Sequence, residues 1–168
     1  IYPAGHHEAA WRHPRSEPTR IFDADYYQQI AQAAEAATFD AVFFADGPAL
    51  RSEAAYSTAG RLEPITLLST IAAATERIGL IATASTTYYE PYNLARLFST
   101  LDFLSKGRAG WNIVTTDNAW TGENFRRGGY LDHADRYTHA EAFLQVAEQY
   151  WAGERISHDG AHYTVRAQ

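Results

Sequence analysis

The sequence predicts an α/β fold, and three observations support that prediction. Short apolar runs that read as strands alternate with longer segments whose apolar residues recur at helical spacing. The strand-like runs are continuously apolar, which is typical of a parallel sheet covered by helices. The composition, with 46% hydrophobic and 20% charged residues, is that of a globular protein. We therefore expect a folded, soluble chain built from successive strand and helix units.

The first half of the chain supplies two of these units. The alanine-rich segment from Asp25 to Ala37 predicts a helix, and the apolar run from Phe39 to Ala45 predicts a buried strand after it. The order recurs with a helical pattern from Pro64 to Thr75 and an apolar strand from Arg77 to Ala84. The segment from Ile1 to Ala4 is interpreted as the end of an earlier strand.

The second half repeats the alternation. A third helix is predicted from Leu94 to Leu104, with Gly107 as its C-terminal cap, and a third strand from Arg108 to Thr115. A fourth helix is predicted from Asp135 to Trp151. The segment from Ile156 to Gln168 alternates around an Asp-Gly pair, which predicts a small hairpin.

Both a doubly wound sheet and a (β/α)₈ TIM barrel fit this alternation. No GxGxxG or GxxxxGK[ST] loop occurs in the sequence, which favours the barrel. A complete barrel needs roughly 250 residues, and about four units are present. We therefore expect residues 1–168 to be the amino-terminal half of a single barrel domain. The sequence begins at Ile1 and contains no methionine, so we also expect the chain to be incomplete.

Composition and motif spacing exclude several classes of function. The formal charge of −6 without a basic stripe argues against nucleic-acid and anionic-membrane partners. There is no cysteine, which excludes disulfides, thiolate nucleophiles and cysteine-ligated metal centres but does not reveal the compartment. No apolar run approaches the roughly 20 residues of a membrane span, and the amino end lacks a signal-peptide pattern, so we expect a cytoplasmic protein. His6, His7, Glu8 and His13 lack HxH or HExxH spacing, which argues against a metal site.

Polar residues at the ends of the predicted strands are the candidate site. Ligands of parallel α/β folds gather at the carboxyl ends of strands, where Asn112 and Thr115 lie. His133 and Tyr137 are four residues apart, so they share a face if a helix begins near Asp132. The alternatives stay open: Asn112 as a buried amide that ties strands together, and the His133 and Tyr137 pair as ordinary surface residues.

Two earlier positions have the same ambiguity. Asp46 follows an apolar strand, where its carboxylate is suited either to a cofactor or to a turn before Gly47. Thr83 begins a hydroxyl cluster that is suited either to a ligand or to satisfying backbone groups. Trp111 is interpreted as core packing, and Arg136 is expected to pair with Asp132 or Asp135 rather than with a ligand.

Four ordered motifs resemble those of the bacterial luciferase-like flavin-dependent monooxygenases, and the resemblance covers nearly all of the chain. The resemblance is to the branch that acts on nitrilotriacetate, dibenzothiophene sulfone and long-chain alkanes. It implies a TIM barrel that binds reduced FMN from a separate NAD(P)H:flavin reductase and oxygenates a small organic substrate with O₂ through a flavin peroxide. The motifs are GHHEAAWRHP (5–14), FDAVFFADG (39–47), ATERIGLIATASTTYYEPYNLAR (74–96) and LDFLSKGRAGWNIVTT (101–116).

The resemblance also implies roles for particular residues. His6 becomes the candidate catalytic residue, in a loop on the substrate side of the flavin, where a histidine suits proton transfer near neutrality. The implied FMN contacts are Asp46, Thr83, Asn112, Thr115, His133 and Tyr137. The later strands, which carry the usual phosphate loop, are absent, and the step from Trp151 to Ile156 is shorter than in the resembling enzymes.

Rival interpretations remain at this stage. The chain is either a flavin-dependent monooxygenase, whole or in part, or a non-catalytic flavin-binding half-barrel or assembly subunit. Because an open parallel sheet exposes unpaired edges, we expect a homo-oligomer. A metal-dependent barrel hydrolase is disfavoured by the missing ligand spacing. The sequence does not distinguish among aminopolycarboxylate, sulfone and alkane substrates.

Overall fold

The computed structural model describes residues 1–2, 4–7, 9–48, 61–117, 119–125, 132–153 and 155–167. Two short 3₁₀ turns, Ala10–Arg12 and Pro18–Arg20, precede the first helix. The helices in the described ranges are α1 (Ala24–Ala36), α2 (Pro64–Ala74), α3 (Pro91–Ser105), α4 (Ala119–Gly122) and α5 (His133–Ala152). The strands there are β1 (Ala41–Phe44), β2 (Gly79–Ser85), β3 (Ala109–Val114), β4 (Ile156–Asp159) and β5 (Thr164–Ala167).

Three of these strands form a sheet in the order β1-β2-β3. β1 and β2 are parallel, with Ala41 beside Gly79 and Phe44 beside Ala82. Along β2 and β3, the amide of Leu80 donates to Arg108 O at 2.8 Å and that of Thr86 to Val114 O at 3.0 Å. From the first of these bonds to the second, both strands advance by six residues toward their carboxyl ends, so this pairing is also parallel. The alternating helices and parallel strands confirm the predicted α/β class.

The chain divides into two compact units. The first unit contains Ile1–Thr83 and Leu101–Gly110, and the second contains Ala84–Thr100 and Trp111–Gln168. The boundary passes through β2 and β3, so the carboxyl ends of both strands belong to the second unit.

In the first unit, α2 forms because its amino end is well capped and most of its surface is apolar. Pro64 occupies the first turn, where its missing N–H costs nothing, and the Glu63 carboxylate accepts from the amides of Ile65 at 2.9 Å and Thr66 at 2.7 Å. The helix buries apolar side chains on more than one face, so packing rather than a polar outer face stabilises it. The buried residues are Pro64, Ile65, Leu67, Leu68, Ile71 and Ala72.

One arginine connects several turns of the first unit. The Arg108 guanidinium donates from Nε to Ser105 O at 2.7 Å, and its Nη atoms donate to three more carbonyls and to the Thr75 hydroxyl at 2.8–3.0 Å. Those carbonyls belong to Ala72, Thr75 and Ile78, at and after the carboxyl end of α2. A cation is favourable there because the terminal carbonyls of a helix lack intrahelical partners.

A carboxylate makes the complementary contact in the first unit. Glu35, near the end of α1, accepts from the backbone amides of Glu76, Arg77 and Ile78, at 2.6–3.0 Å for the shortest bond to each. These bonds lower the pKa of Glu35, the amides of Arg77 and Ile78 contributing most. The loop into β2 is therefore held to α1 by an ionised side chain.

The second unit is built around Trp111. Its indole donates to Ala84 O at 3.1 Å, and its ring lies 5.7 Å from Phe98, 5.8 Å from Phe143 and 6.2 Å from Trp151, between ring centroids. Phe143 is fully buried. The interpretation of Trp111 as a packing residue is confirmed.

The last helix and the hairpin complete the second unit. α5 begins at the N-cap Asp132, whose side chain accepts from the amide of Asp135 at 2.9 Å, and ends at Gly153, whose φ of 70° lies in the left-handed region. β4 and β5 pair antiparallel, as predicted for this segment. The Tyr163 hydroxyl and His139 Nε2 lie 2.7 Å apart and join the hairpin to α5.

Most predicted boundaries differ from the structure by one or two residues, and three differences have an identifiable basis. β1 spans Ala41–Phe44 only, because Thr38 adopts a positive φ of 63° and the chain is still turning where the apolar run begins. α3 starts three residues earlier than predicted, at Pro91, since proline suits a first helical turn. The described residues of the first segment, Ile1, Tyr2 and Ala4, are not in a strand. The amino group of Ile1 nevertheless donates a hydrogen bond to Phe43 O in β1.

Other features agree with the prediction. Gly107 follows α3 with a φ of 84°, and its amide donates to Asp102 O at 2.9 Å, as expected of a C-terminal cap. Within the described part of the chain, no helix combines the length and apolarity needed to cross a membrane.

Candidate functional site

The carboxyl ends of β2 and β3 in the second unit carry a cluster of buried hydroxyl groups. The Ser85 and Thr116 hydroxyls lie 2.7 Å apart, and the Thr86 hydroxyl donates to Val114 O at 3.3 Å. Ser85 also accepts from the amide of Thr87 at 3.3 Å. Ser85, Thr86 and Thr87 are each at most 5% exposed. Burying hydroxyls is favourable only where each finds a partner, and Ser85 and Thr86 find theirs within the chain.

One hydroxyl of this cluster stands apart from the rest. The Thr87 Oγ1 atom is buried and forms no hydrogen bond with any described residue. A buried hydroxyl without a partner costs free energy, and native proteins retain few such groups. An orphaned donor and acceptor at a strand end fits a polar ligand atom.

An aromatic pair follows the hydroxyl cluster. Tyr88 stacks on Phe125 with ring centroids 4.4 Å apart and an angle of 11° between the rings. Burial raises the pKa of the Tyr88 hydroxyl, and the positive charge of Arg136 acts in the opposite direction. Arg136 therefore interacts electrostatically with Tyr88, which follows the end of β2 by three residues.

The first turn of α5 holds His133 and Tyr137 on one face. Their ring centroids are 4.9 Å apart, as their spacing of four residues predicts. Both side chains are exposed, Tyr137 by 58%, so they are available to a ligand. Among the predicted site residues, these two are brought into direct contact.

Asn112 and Thr115 lie at the other strand end of the second unit. Asn112 is within β3 and half-buried, and Thr115 is the first residue after the strand. Their separation of three residues places them on opposite sides of an extended chain, as expected. The neighbouring Thr116, rather than Thr115, bonds to Ser85.

In the first unit, Asp46 lies two residues after β1. Its Oδ1 accepts from the amide of Gly47 at 2.8 Å, which is the turn geometry that was its alternative role. Burial raises the pKa of the Asp46 carboxyl above its ordinary value, and the nearby Glu63 adds to the rise, while the Gly47 hydrogen bond and Arg61 oppose it. A carboxylate that is costly to ionise would gain from hydrogen-bond donors on a ligand.

The other two predicted residues of the first unit differ in exposure. Thr83 is 5% exposed inside β2 and makes contacts with its surroundings. His6 is exposed, with its ring edge-on to Tyr2 at 4.7 Å between centroids, and the Arg61 guanidinium lies 5.2 Å from the same tyrosine ring. His6 is thus free to meet a substrate, but its backbone lies in a turn.

Sequence reasoning gave Arg108 no role and assigned Arg136 a pairing with Asp132 or Asp135. Arg108 anchors α2, and Arg136 is 9% exposed with no ion pair to Asp132 or Asp135 in the described part of the chain, so its expected pairing is wrong. One feature of the sequence could have indicated the role of Arg108. A charged residue stands at the start of a predicted buried strand, directly after the helix cap Gly107. Nothing in the local pattern of Arg136 distinguishes it from a surface arginine.

Two further features of the described residues lie apart from the predicted site. A shallow groove of about 440 Å³ runs beside α3 in the second unit, and no predicted site residue lines it. In the described ranges, no three His, Cys, Asp or Glu side chains are placed to hold a metal ion, and Glu8 lies outside those ranges.

Parallel strands that end in buried hydroxyls, followed by a capped helix with exposed polar residues, define an α/β protein whose candidate site lies at the strand ends. The particular family follows from comparison: residues 4–168 match the luciferase-like monooxygenase family model. The chain belongs to that family, as its motifs predicted.

Individual relatives and solved structures support the assignment to this family. The chain is 44% identical over 160 residues to nitrilotriacetate monooxygenase component A of Aminobacter aminovorans, covering 88% of this chain and 35% of that protein. Among solved structures it resembles EDTA monooxygenase from Chelativorans sp. BNC1, with a TM-score of 0.90, 32% identity, and coverage of 98% of this chain and 44% of that one. It also resembles a riboflavin lyase solved with modified FMN and riboflavin, with a TM-score of 0.84, 31% identity, and coverage of 94% and 42%.

The chain spans about a third of the length of the curated relatives that it matches.

Proposed function

We propose that this chain is the amino-terminal part of a luciferase-like TIM barrel, residues 1–168, that acts as a two-component flavin-dependent monooxygenase. The observation that carries the proposal is the buried hydroxyl cluster at the carboxyl ends of two parallel strands, where ligands of such folds bind. Membership of the family and the monooxygenase names of its relatives support it.

Reduced FMN is the cofactor that we propose, and several residues of the chain fit it. In the first unit, Asp46 and Thr83 would accept or donate hydrogen bonds, with His6 as the catalytic candidate for moving a proton. The unpartnered hydroxyl of Thr87 fits a polar ligand in the same way. In the second unit, the flavin contacts that we propose are Asn112, Thr115, His133 and Tyr137.

The chemistry of the side chains indicates which part of the reaction the cofactor would supply and which part the protein would supply. The chain has no cysteine and its described ranges hold no cluster of metal-ligating side chains, and FMN would supply the electrons that O₂ chemistry needs. The protein's own residues bind and orient the flavin, and aromatic side chains such as Tyr88, Phe125 and Trp111 would limit the access of water.

Partners follow from the same proposal. A separate NAD(P)H:flavin reductase would supply the reduced flavin, which agrees with the name "component A" of one relative. O₂ and a small organic substrate complete the reaction. A homo-oligomer and a cytoplasmic location remain predictions.

Anaerobic calorimetric titration with reduced FMN tests the proposal. We expect saturable binding, weakened about tenfold or more in a variant that carries Asp46→Ala and His133→Ala, because both polar contacts would be lost. Asp40→Ala is the matched control, since Asp40 is exposed and its described contact is through its backbone carbonyl. Circular dichroism would verify that each variant is folded.

Three results would count against the proposal. A folded wild-type chain that does not bind reduced FMN would contradict flavin binding by this part of the protein. If the double variant and the Asp40 control lost FMN affinity equally, the assignment of Asp46 and His133 as flavin contacts would be contradicted. Binding of FMN without substrate oxygenation, in a chain extended to the length of its relatives, would favour the non-catalytic flavin-binding alternative.

A further inference from the structure

The hairpin of β4 and β5 depends on α5 for its stability. Its two strands have four residues each and form a two-stranded sheet. Such a hairpin is only marginally stable in water unless it packs against another element. Here Ile156 is 4% exposed and Tyr163 is 9% exposed, and the Tyr163 ring lies edge-on to Phe143 of α5 at 6.1 Å between centroids. The hairpin therefore stays folded only while it is docked on α5.

Histidines take part in the polar contacts between the hairpin and α5. The Tyr163 hydroxyl lies 2.7 Å from His139 Nε2, and the Thr138 hydroxyl lies 3.1 Å from His162 Nε2. The rings of His139 and His162 also meet edge to face, with centroids 5.3 Å apart. Each of these three contacts includes an imidazole, the side chain whose charge changes near neutral pH.

The contact of His162 tolerates a proton. His162 is exposed, so water solvates its charged form. The single hydroxyl proton of Thr138 is donated to Asp135 O at 3.2 Å, so toward His162 the Thr138 oxygen acts as the acceptor of Nε2–H. A protonated imidazole carries hydrogens on both ring nitrogens and keeps this bond. Charging His162 is therefore compatible with docking.

Protonation of His139 has the opposite effect. The side chain is 1% exposed, and burial disfavours the charged form of a histidine. The Tyr163 hydroxyl that it meets is neutral across the acid and neutral range. If the hairpin undocks, the imidazole gains access to water and accepts a proton at the ordinary histidine pKa of about 6.5. The undocked state therefore binds the proton more tightly than the docked state.

The charged groups around His139 increase this difference. Arg136, which is 9% exposed, precedes His139 by three residues on α5, and the His162 ring lies against it from the hairpin. Both oppose a further positive charge. His158 is a third imidazole, half-buried on the packed side of β4. The Asp135 carboxylate, four residues before His139, is exposed, so water screens its attraction.

We propose that the contact of His139 with Tyr163 is a pH-sensitive latch that holds the hairpin on α5 while His139 is neutral and releases it in acid. Because the docked state disfavours the proton, the stabilisation is fully present above pH 6.5 or about that value, and it is lost as the pH falls below it. The latch belongs to the folded chain itself and does not rest on flavin binding.

Hydrogen–deuterium exchange of the whole chain at pH values of about 7.5 and about 5 tests the latch, after correction for the intrinsic exchange rates. We expect the amides of β4 and β5 to lose about tenfold or more of their protection in acid, while those of α2 change little. His139→Gln removes the titrating group and keeps an amide that can bond to Tyr163. Its hairpin should have the same protection at both pH values.

His162→Gln is the matched control, since it removes the neighbouring imidazole and leaves His139 in place. We expect its hairpin to keep the loss of protection in acid. Two results would overturn the latch: hairpin protection in wild type that does not depend on pH, or a pH dependence that disappears in His162→Gln and persists in His139→Gln.

A measurement on wild type alone decides the case in which His139→Gln does not dock its hairpin at either pH. The imidazole protons of His139 are followed by NMR from neutral to acid pH and are compared with the hairpin protection over the same range. The proposal requires the two midpoints to coincide. A hairpin that remains docked after His139 has titrated, or that is released before it titrates, would show that another group controls the release.

Discussion

Two arginines, one in each unit, show opposite solutions to the burial of a guanidinium. In the first unit, Arg108 makes five hydrogen bonds, four to carbonyl oxygens and one to a hydroxyl. In the second unit, Arg136 is 9% exposed and its Nε has no acceptor among the described residues. All five donors of the first guanidinium have acceptors within the folded chain, whereas the buried Nε donor of the second has none among the described residues.

The difference in hydrogen bonding between Arg108 and Arg136 has a physical consequence for the stability of the protein. An arginine has five N–H donors in a rigid fork, and saturating them with protein acceptors fixes the surrounding backbone. Leaving a buried donor unpaired costs stability, and such costs are concentrated at functional sites. We therefore expect the two positions to respond differently to the same substitution.

The largest effect is expected at Arg108. Arg108→Met should lower the free energy of unfolding by about 3 kcal/mol, because it leaves partly buried carbonyls of Ala72, Thr75 and Ile78 without donors. Urea unfolding followed by circular dichroism measures the change. Arg77→Met is the control, because the Arg77 and Glu76 side chains are 72% and 84% exposed and their ion pair should contribute little. A loss as small as that of the control would contradict the role of Arg108.

A smaller effect is expected at Glu35. Its folded pKa is lowered by backbone amides, so its ionised form contributes stability above its unfolded pKa, and this contribution is lost as the pH falls through the folded value. Glu35→Gln should therefore be less stable than wild type at neutral pH and equally stable in acid.

Unfolding curves across the acid range would show this convergence. Glu76→Gln serves as the control, since that side chain is exposed and makes no bond to the amides that Glu35 holds. A constant difference between Glu35→Gln and wild type at every pH would show that charge has no part in the contact.

The smallest effect on stability is expected at Arg136. Without ligand, Arg136→Met should change the free energy of unfolding by about 1 kcal/mol or less, and toward greater stability, because it removes an uncompensated charge and keeps an unbranched apolar stem. The measurement is the same urea titration in phosphate-free buffer. A loss comparable to that of Arg108→Met would show that the protein itself satisfies Arg136, and the contrast between the two arginines would disappear.

Much of the fold was predictable because local signals agreed with the tertiary structure. The Asp132 cap, the Gly107 turn and the contact between His133 and Tyr137 follow from the spacing of a few neighbouring residues. The boundary at Pro91 was missed because the apolar pattern that was used begins at Leu94, after the proline turn.

The candidate site was predictable only in part. The hydroxyl run from Ser85 to Thr87 indicated a strand end, but the partner of Ser85 is Thr116, 31 residues away in sequence. The side chain expected to be nearer the ligand, Thr115, is its neighbour. A one-residue step in an extended chain changes the face of a side chain, so the register of the sheet decides which threonine meets Ser85.

The sequence by itself determined the alternation of helices and strands, the parallel α/β class, the family and the helix ends, because periodicity and capping act over a few residues. The tertiary structure alone decided that Arg108 is saturated by acceptors up to 36 residues away and that Arg136 is buried with no counter-ion among the described residues. The physical reason is that burial and hydrogen-bond satisfaction depend on which distant groups the fold brings together. Two arginines that look alike in sequence therefore acquire different energies only in the folded chain.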